Sequence, residues 1–200
     1  MSIRKGAIKF LMILTPDNEY SAVLDACVLV PMPLCDTLLR LAEEQGLYRP
    51  LWGEKILQEV SSALGKLGYT QAQQDRRIQA MGLAFPEAIV DVPEEIVGAL
   101  KDLPDQKDCH VLAVGIVRNA HAIVTLNKKH FPPECLEKHG ILCQNPDDFL
   151  IHQYHLARER VLDQLDYQAA NIRQERACLV RELERVAPNF AKLVTTGKVG

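Results

Sequence analysis

The sequence predicts an α/β protein: a parallel sheet with helices on both sides, followed by an all-helical tail. Three observations predict it. Short apolar runs of strand length alternate with segments of helical period, the strand runs are apolar on both faces, and roughly the last fifty residues keep helical spacing with no strand signal.

Val23, Leu24, Ala26, Val28, Leu29 and Val30 form a nearly continuous apolar run, interrupted by Asp25 and Cys27, which reads as a first strand buried on both faces. From Pro33 to Gln45, Leu34, Leu38, Leu39 and Leu41 keep helical spacing until Gly46, and Leu47 to Trp52 reads as a second strand. Glu54 to Leu67 places Ile56, Leu57, Val60, Leu64 and Leu67 on one helical face; a polar helix follows from Thr70 to Met81 and a third strand from Ala88 to Val92. A helix from Pro93 to Lys101, an acid-rich loop and an apolar helix from about Asp105 to Asn119 lead to the strands Ala122 to Leu126 and Ile141 to Gln144. Asn145-Pro146-Asp147 opens a helix that runs toward position 170, and a last helix, Gln174 to Val186, stops at Pro188. The organisation expected is an N-terminal extension over 1–19, an α/β domain over 20–146 and a helical C-terminal extension over 147–200.

The chain has 200 residues, 48% hydrophobic and 24% charged, which suits one main core and excludes a disordered or collagen-like chain. With 23 Lys and Arg against 26 Asp and Glu, it does not coat nucleic acid by bulk charge, so any nucleic-acid contact must be local. Six cysteines without a Cys-x-x-Cys pair point to reduced thiols and a cytoplasmic location. Arg4 and Lys5 before Phe10 to Leu14 resemble a signal peptide only faintly. Lys9 breaks the run, Thr15-Pro16-Asp17 stands where a cleavage site would be, and no apolar stretch has the length of a membrane span.

Function is read from where the acids fall. In an open parallel sheet, ligands bind at the carboxyl edge of the strands. Asp25 interrupts a buried strand, and an uncompensated carboxylate there would cost several kcal/mol, so a metal ion, a cation or a set of backbone donors must answer it. Glu59 lies at the border of the apolar face of its helix, where the alternative is a solvated glutamate beside Lys55. Asp102, Asp105 and Asp108 crowd the start of the apolar helix. Capping explains two of them, and a divalent cation held by oxygens, Mg²⁺ or Mn²⁺, would relieve the repulsion among all of them. Asn127, Lys128, Lys129 and His130 follow the fourth strand, and with Arg76 and Arg77 they supply basic groups for a phosphate backbone. This pattern points to metal-assisted hydrolysis of a phosphodiester. Two other readings fit less well. His130, Cys135, His139 and Cys143 could hold zinc, but Pro132-Pro133 interrupts them and no two-residue knuckle is present. An aspartyl phosphatase would need a second aspartate where Cys27 stands.

The segments Val23 to Val30 around Asp25, Leu47 to Val60, Pro104 to Ala113 and Ile123 to Pro132 occur in the order of a PIN domain and together resemble its VapC-type toxin branch. The resemblance covers about residues 20 to 150 and implies a three-layer PIN-like fold. It further implies a Mg²⁺- or Mn²⁺-dependent ribonuclease of single-stranded or looped RNA, held inactive by a cognate antitoxin; a homodimer and no membrane association are expected. By this resemblance Asp25, Glu59 and Asp108 are the catalytic and metal-binding acids, Asp105 is a further acid of the branch, and Thr125 and Asn127 match its Thr-x-Asn. Asp25 and Asp108 would bind the metal directly, and Glu59 would position a metal or the attacking water. His130 departs from the pattern: close relatives usually carry aspartate before Phe-Pro. The change removes one negative charge and introduces a group that can be neutral, cationic or a metal ligand. It also motivates the alternative of a PIN-like module that binds RNA or protein without turnover.

Overall fold

The computed structural model describes residues 20–43 and 46–197. The extension over 1–19, with its faint signal-like pattern, lies outside the described residues.

One parallel sheet is formed by β1 (Ser21–Leu24), β2 (Arg49–Gly53), β3 (Ile89–Val90), β4 (Ala122–Val124) and β5 (Leu142–Gln144), in the order β3-β2-β1-β4-β5. Val23 pairs with Leu51 on one side and Ile123 on the other, and Ile123 pairs with Cys143. Every residue of β1 is buried, which is why Ala22, Val23 and Leu24 are apolar in succession and do not alternate. Helices α1 (Ala26–Leu29) and α2 (Met32–Ala42) join β1 to β2, and α3 (Glu54–Lys66) and α4 (Gln71–Ala84) join β2 to β3. The chain then returns across the sheet through α5 (Glu94–Ala99) and α6 (Cys109–Val117) to β4, and α7 (Pro133–Leu136) precedes β5. Right-handed crossovers put α1 to α4 on one face and α5 to α7 on the other. The winding direction changes between β1 and β4, so the crevice at their carboxyl ends is the switch point of the sheet.

Helix α6 is buried from Cys109 through Gly115. Gly115 permits this closeness: a Cβ there would sit 2.9 Å from Ile141 Cδ1.

The tail comprises α8 (Pro146–Leu156), α9 (Arg158–Asn171), α10 (Arg176–Leu183) and α11 (Pro188–Thr196). Helices α9 and α10 pack on α2, and α11 packs on α8. Thr37 Oγ1 donates to Gln168 Oε1 at 2.7 Å, and Gln168 Nε2 donates to the Pro33 carbonyl at 3.0 Å. Leu165, Leu179, Leu183 and Phe190 join the same apolar cluster as the sheet, so body and tail share one core. Asp147, in the first turn of α8, reaches across to α11. Its carboxylate accepts the Phe190 N–H at 2.7 Å, the Asn189 side-chain amide at 2.8 Å and the Asn189 N–H at 3.2 Å.

Several boundaries differ from the sequence reading. The first apolar run is not one strand: β1 ends at Leu24, and the chain enters α1 at Ala26. A continuous apolar run fits a buried strand or a buried helical turn equally well. The long tail helix divides at Ala157, whose φ of −151° and ψ of 67° leave the helical region. Pro188 does not end the helical structure; it occupies the first turn of α11, where the missing N–H costs nothing.

Candidate active site

Asp25 is held at the end of β1 by its own N–H, which donates to the Val124 oxygen at 3.1 Å. By position it caps α1, yet its side chain makes no capping bond. The carboxylate instead meets the end of β4. Thr125 Oγ1 donates to Asp25 Oδ2 at 2.6 Å, and Cys27 Sγ donates to the same oxygen at 3.0 Å. Thr125 is fully buried, and its hydroxyl also accepts the Asn127 N–H at 3.0 Å. Cys27 Sγ accepts the Leu126 N–H at 3.2 Å. Burial, with the Asp25 charge adding to it, pushes the Cys27 thiol up to about 12, so it remains a protonated donor. Both donors fall on Oδ2. Among the described residues, Oδ1 has no hydrogen-bond partner, and no cationic side chain pairs with this carboxylate.

Asp105 and Asp108 flank the turn that starts α6. Asp105 caps that turn by accepting the Lys107 N–H at 3.0 Å. Asp108 stands at the N-cap of α6 without a capping bond, and its Oδ2 lies 2.7 Å from His130 Nδ1, a hydrogen bond in which the ionised carboxylate accepts. The ligand atoms of Asp105, Asp108 and His130 all lie within 4.8 Å of one another. Burial raises the Asp108 carboxyl above its ordinary value. The His130 hydrogen bond and charge oppose this, while the charges of Asp25 and Asp105 add to it. Asp25 and Asp108 therefore sit within electrostatic reach across the switch point.

Glu59, half-buried on α3, places Oε2 3.3 Å from His110 Nε2, a close contact without hydrogen-bond alignment. His110 is buried, and its Nδ1 lies 2.6 Å from the Lys107 carbonyl oxygen. A carbonyl only accepts, so Nδ1 carries a proton, and Nε2 faces the glutamate. Through His110, Glu59 is connected to the turn that carries Asp105 and Asp108.

The basic candidates divide. Arg77 is half-buried, and its guanidinium donates to the carbonyl of Leu29, the last residue of α1, a contact that holds that helix end. Arg76 is exposed, as are Asn127, Lys128 and Lys129, with Lys128 Nζ 3.6 Å from Asp148. Asp102 stands apart from the other acids: it pairs with Lys138 at 2.7 Å, and that bond pulls its carboxyl down. Cys135 donates to the Asp102 carbonyl, and among the described residues Asp105, Asp108 and His130 form the cluster with metal-ligating spacing.

Two residues at the site escaped the sequence reading. Cys27 read only as a second interruption of the apolar run, and its one signal is its position two residues after Asp25, where a helical turn points it back at the carboxylate. His110 is the lone polar residue in an otherwise apolar buried helix, which is the signal that marks it.

A model of the PIN domain family matches residues 21–129. The chain belongs to the PIN-domain family. Over 53 residues it is 47% identical to the "Putative ribonuclease VapC50" of Mycobacterium tuberculosis (strain ATCC 25618 / H37Rv), a stretch covering 26% of this chain and 31% of that protein. The matched stretch thus spans less than a third of that relative. The family and this local likeness agree with the VapC-type resemblance of the four sequence segments. No solved structure matches the chain.

Proposed function

We propose that the chain is a Mg²⁺- or Mn²⁺-dependent endoribonuclease of single-stranded or looped RNA, acting in the cytoplasm as the toxin of a VapBC-type pair. The observation that carries this reading is Asp25. It is 6% exposed, bonded on one oxygen only and uncompensated by any cationic side chain among the described residues. Such burial costs several kcal/mol and is retained where a ligand answers the charge. Asp108 adds a second acid whose proton affinity is raised by its surroundings. In this reading Asp25 and Asp108 would bind a hard divalent cation directly, with Asp105, which shares ligand spacing with Asp108 and His130, and Glu59 completing the site.

A cation bound there supplies Lewis-acid stabilisation of the phosphate oxygens and a more acidic water. The chain's own residues do the rest. Thr125 and Cys27 hold Asp25 Oδ2 and leave Oδ1 directed to the ligand. Glu59 orients the attacking water and accepts its proton. Arg76, Lys128 and Lys129 neutralise neighbouring phosphates, and Asn127 offers an exposed amide. In-line attack leaves 5′-phosphate and 3′-hydroxyl ends. A cognate antitoxin and a second copy of the chain are the expected protein partners.

The test is cleavage of a mixed labelled RNA pool by antitoxin-free protein, with Mg²⁺, with Mn²⁺ and with chelator, beside Asp25→Asn. Metal-dependent cutting that the variant loses is expected; 2′,3′-cyclic phosphate ends would refute the mechanism. A second reading, a PIN-like module that binds RNA or protein without turnover, is favoured by the His130 bond to Asp108. It predicts RNA affinity that survives Asp25→Asn and no cutting by the wild type.

A further inference from the structure

We propose that His130 makes the acidic centre a mixed oxygen and nitrogen site that takes Mn²⁺, or another transition-metal ion, in preference to Mg²⁺. The inference rests on the metal-dependent reading above and specifies its ion.

The ring is presented to the cluster by a short, well-braced turn. The His130 N–H donates to the Asn127 carbonyl at 2.9 Å, and the Phe131 N–H donates to the Lys128 carbonyl at 3.0 Å. Phe131 is buried and anchors the turn, while the His130 side chain stays 26% exposed. Its Nδ1 lies 2.7 Å from Asp108 Oδ2, and the ring shares with Asp105 and Asp108 a spacing that one ion can bridge; an ion taken up by Nδ1 would displace to solvent the proton that now lies between ring and carboxylate.

The chemistry then discriminates between ions. Mg²⁺ is small and hard, demands oxygen ligands and gives up its water reluctantly. Imidazole nitrogen is borderline-soft, and its bond strengthens from Mn²⁺ through Co²⁺ and Ni²⁺. A neutral imidazole adds no negative charge, so it helps least the ion held by charge alone and helps most the ion that gains a nitrogen bond. Asp105 and Asp108 supply oxygens acceptable to both. The nitrogen of His130 is the ligand that separates them.

The test uses the full-length, antitoxin-free protein loaded with Mn²⁺ alone at one fixed pH. Pulsed electron paramagnetic resonance reads nitrogen bound directly to the ion, and calorimetry reads Mn²⁺ and Mg²⁺ affinities separately. The wild type is expected to show directly bound nitrogen, and His130→Asp and His130→Ala to lack it. In His130→Asp the preference for Mn²⁺ over Mg²⁺ should fall by at least about tenfold while Mn²⁺ still binds. Circular dichroism of both variants verifies the fold, and the partial exposure of His130 leaves it tolerant of change. Mn²⁺ bound to wild type without a nitrogen signal overturns the inference and leaves the nuclease reading standing. So does a nitrogen signal that persists in both variants, which would assign it to another ring such as His110. Failure of either ion to bind wild type more tightly than Asp25→Asn overturns the inference and the metal-dependent reading together.

Discussion

Asp25 and Asp147 are equally buried, each 6% exposed, and among the described residues neither is paired with a cationic side chain. Their surroundings nevertheless differ. Asp147 sits in the tail, and three N–H donors are shared between its two oxygens, two from the backbone at the start of α11 and one from the Asn189 amide. Helix N-termini supply such donors at no further cost, so this carboxylate is satisfied by the fold itself. Asp25 sits at the switch point, where a thiol and a hydroxyl crowd onto one oxygen and leave the other without a partner. Equal burial with unequal satisfaction separates a carboxylate that builds the structure from the one proposed to take a ligand.

The sharpest break of this contrast is Asp25→Asn. Cleavage should fall by about a thousandfold or more, since the lost charge acts in the transition state, while the thermal midpoint stays level or rises. Loss of folding in this variant would show that Asp25 is structural after all. Asp147→Ala should do the reverse. Its unpaired donors should cost about 2–4 kcal/mol in urea unfolding and raise amide exchange across α8 and α11, with activity kept by the molecules that remain folded.

Asp108→Asn sharpens the comparison through pH. Folding raises the affinity of Asp108 for its proton. The stability this contributes is fully present below the unfolded carboxyl value and is lost as pH rises through the folded one. At neutral pH the metal-free wild type has lost it, whereas asparagine, uncharged at every pH, never incurs the cost of burying a charge. Metal-free Asp108→Asn should therefore be the more stable protein near neutrality. The gap should open as pH rises through the carboxylate range and shrink when Mn²⁺ is added to wild type. A gap that is flat with pH would contradict the cause assigned. The smallest effect is expected at Cys27. Its thiol, pushed up to about 12, should alkylate at least about a hundredfold more slowly than the exposed Cys178, and Cys27→Ser should change cleavage by less than about threefold because a hydroxyl also donates.

Much of this was legible in the sequence because the body of the fold is coded by period. The alternation of apolar runs with helical spacing marked all five strands in their succession along the chain; Asp25 stood out against apolar neighbours, and Asp105 and Asp108 as acids crowding the entrance to an apolar helix. Boundaries were less legible where one pattern serves two structures. The run through Val30 continued past the strand because Ala26, Val28 and Leu29 of α1 are buried like β1, and Pro188 reads as either a stop or a first turn. The break at Ala157 has no Gly or Pro to announce it. Cys27 and His110 were hidden for another reason: their roles depend on contacts that no local spacing records. The bond between Thr125 and Asp25 joins residues 100 positions apart.

The carboxylate of Asp147 and the Phe190 N–H it holds are 43 positions apart, so the tail returns to its own first turn. In topological terms the tail is a ring closed by hydrogen bonds, and a ring can be opened once without losing a part. The turn between α9 and α10 is exposed, with Arg173 in the left-handed region at φ 57°. A single protease cut there would leave α8 and α9 on one fragment and α10 and α11 on the other, still joined through Asp147 and the shared core. The protein is thereby a natural candidate for reconstitution from two separately made halves.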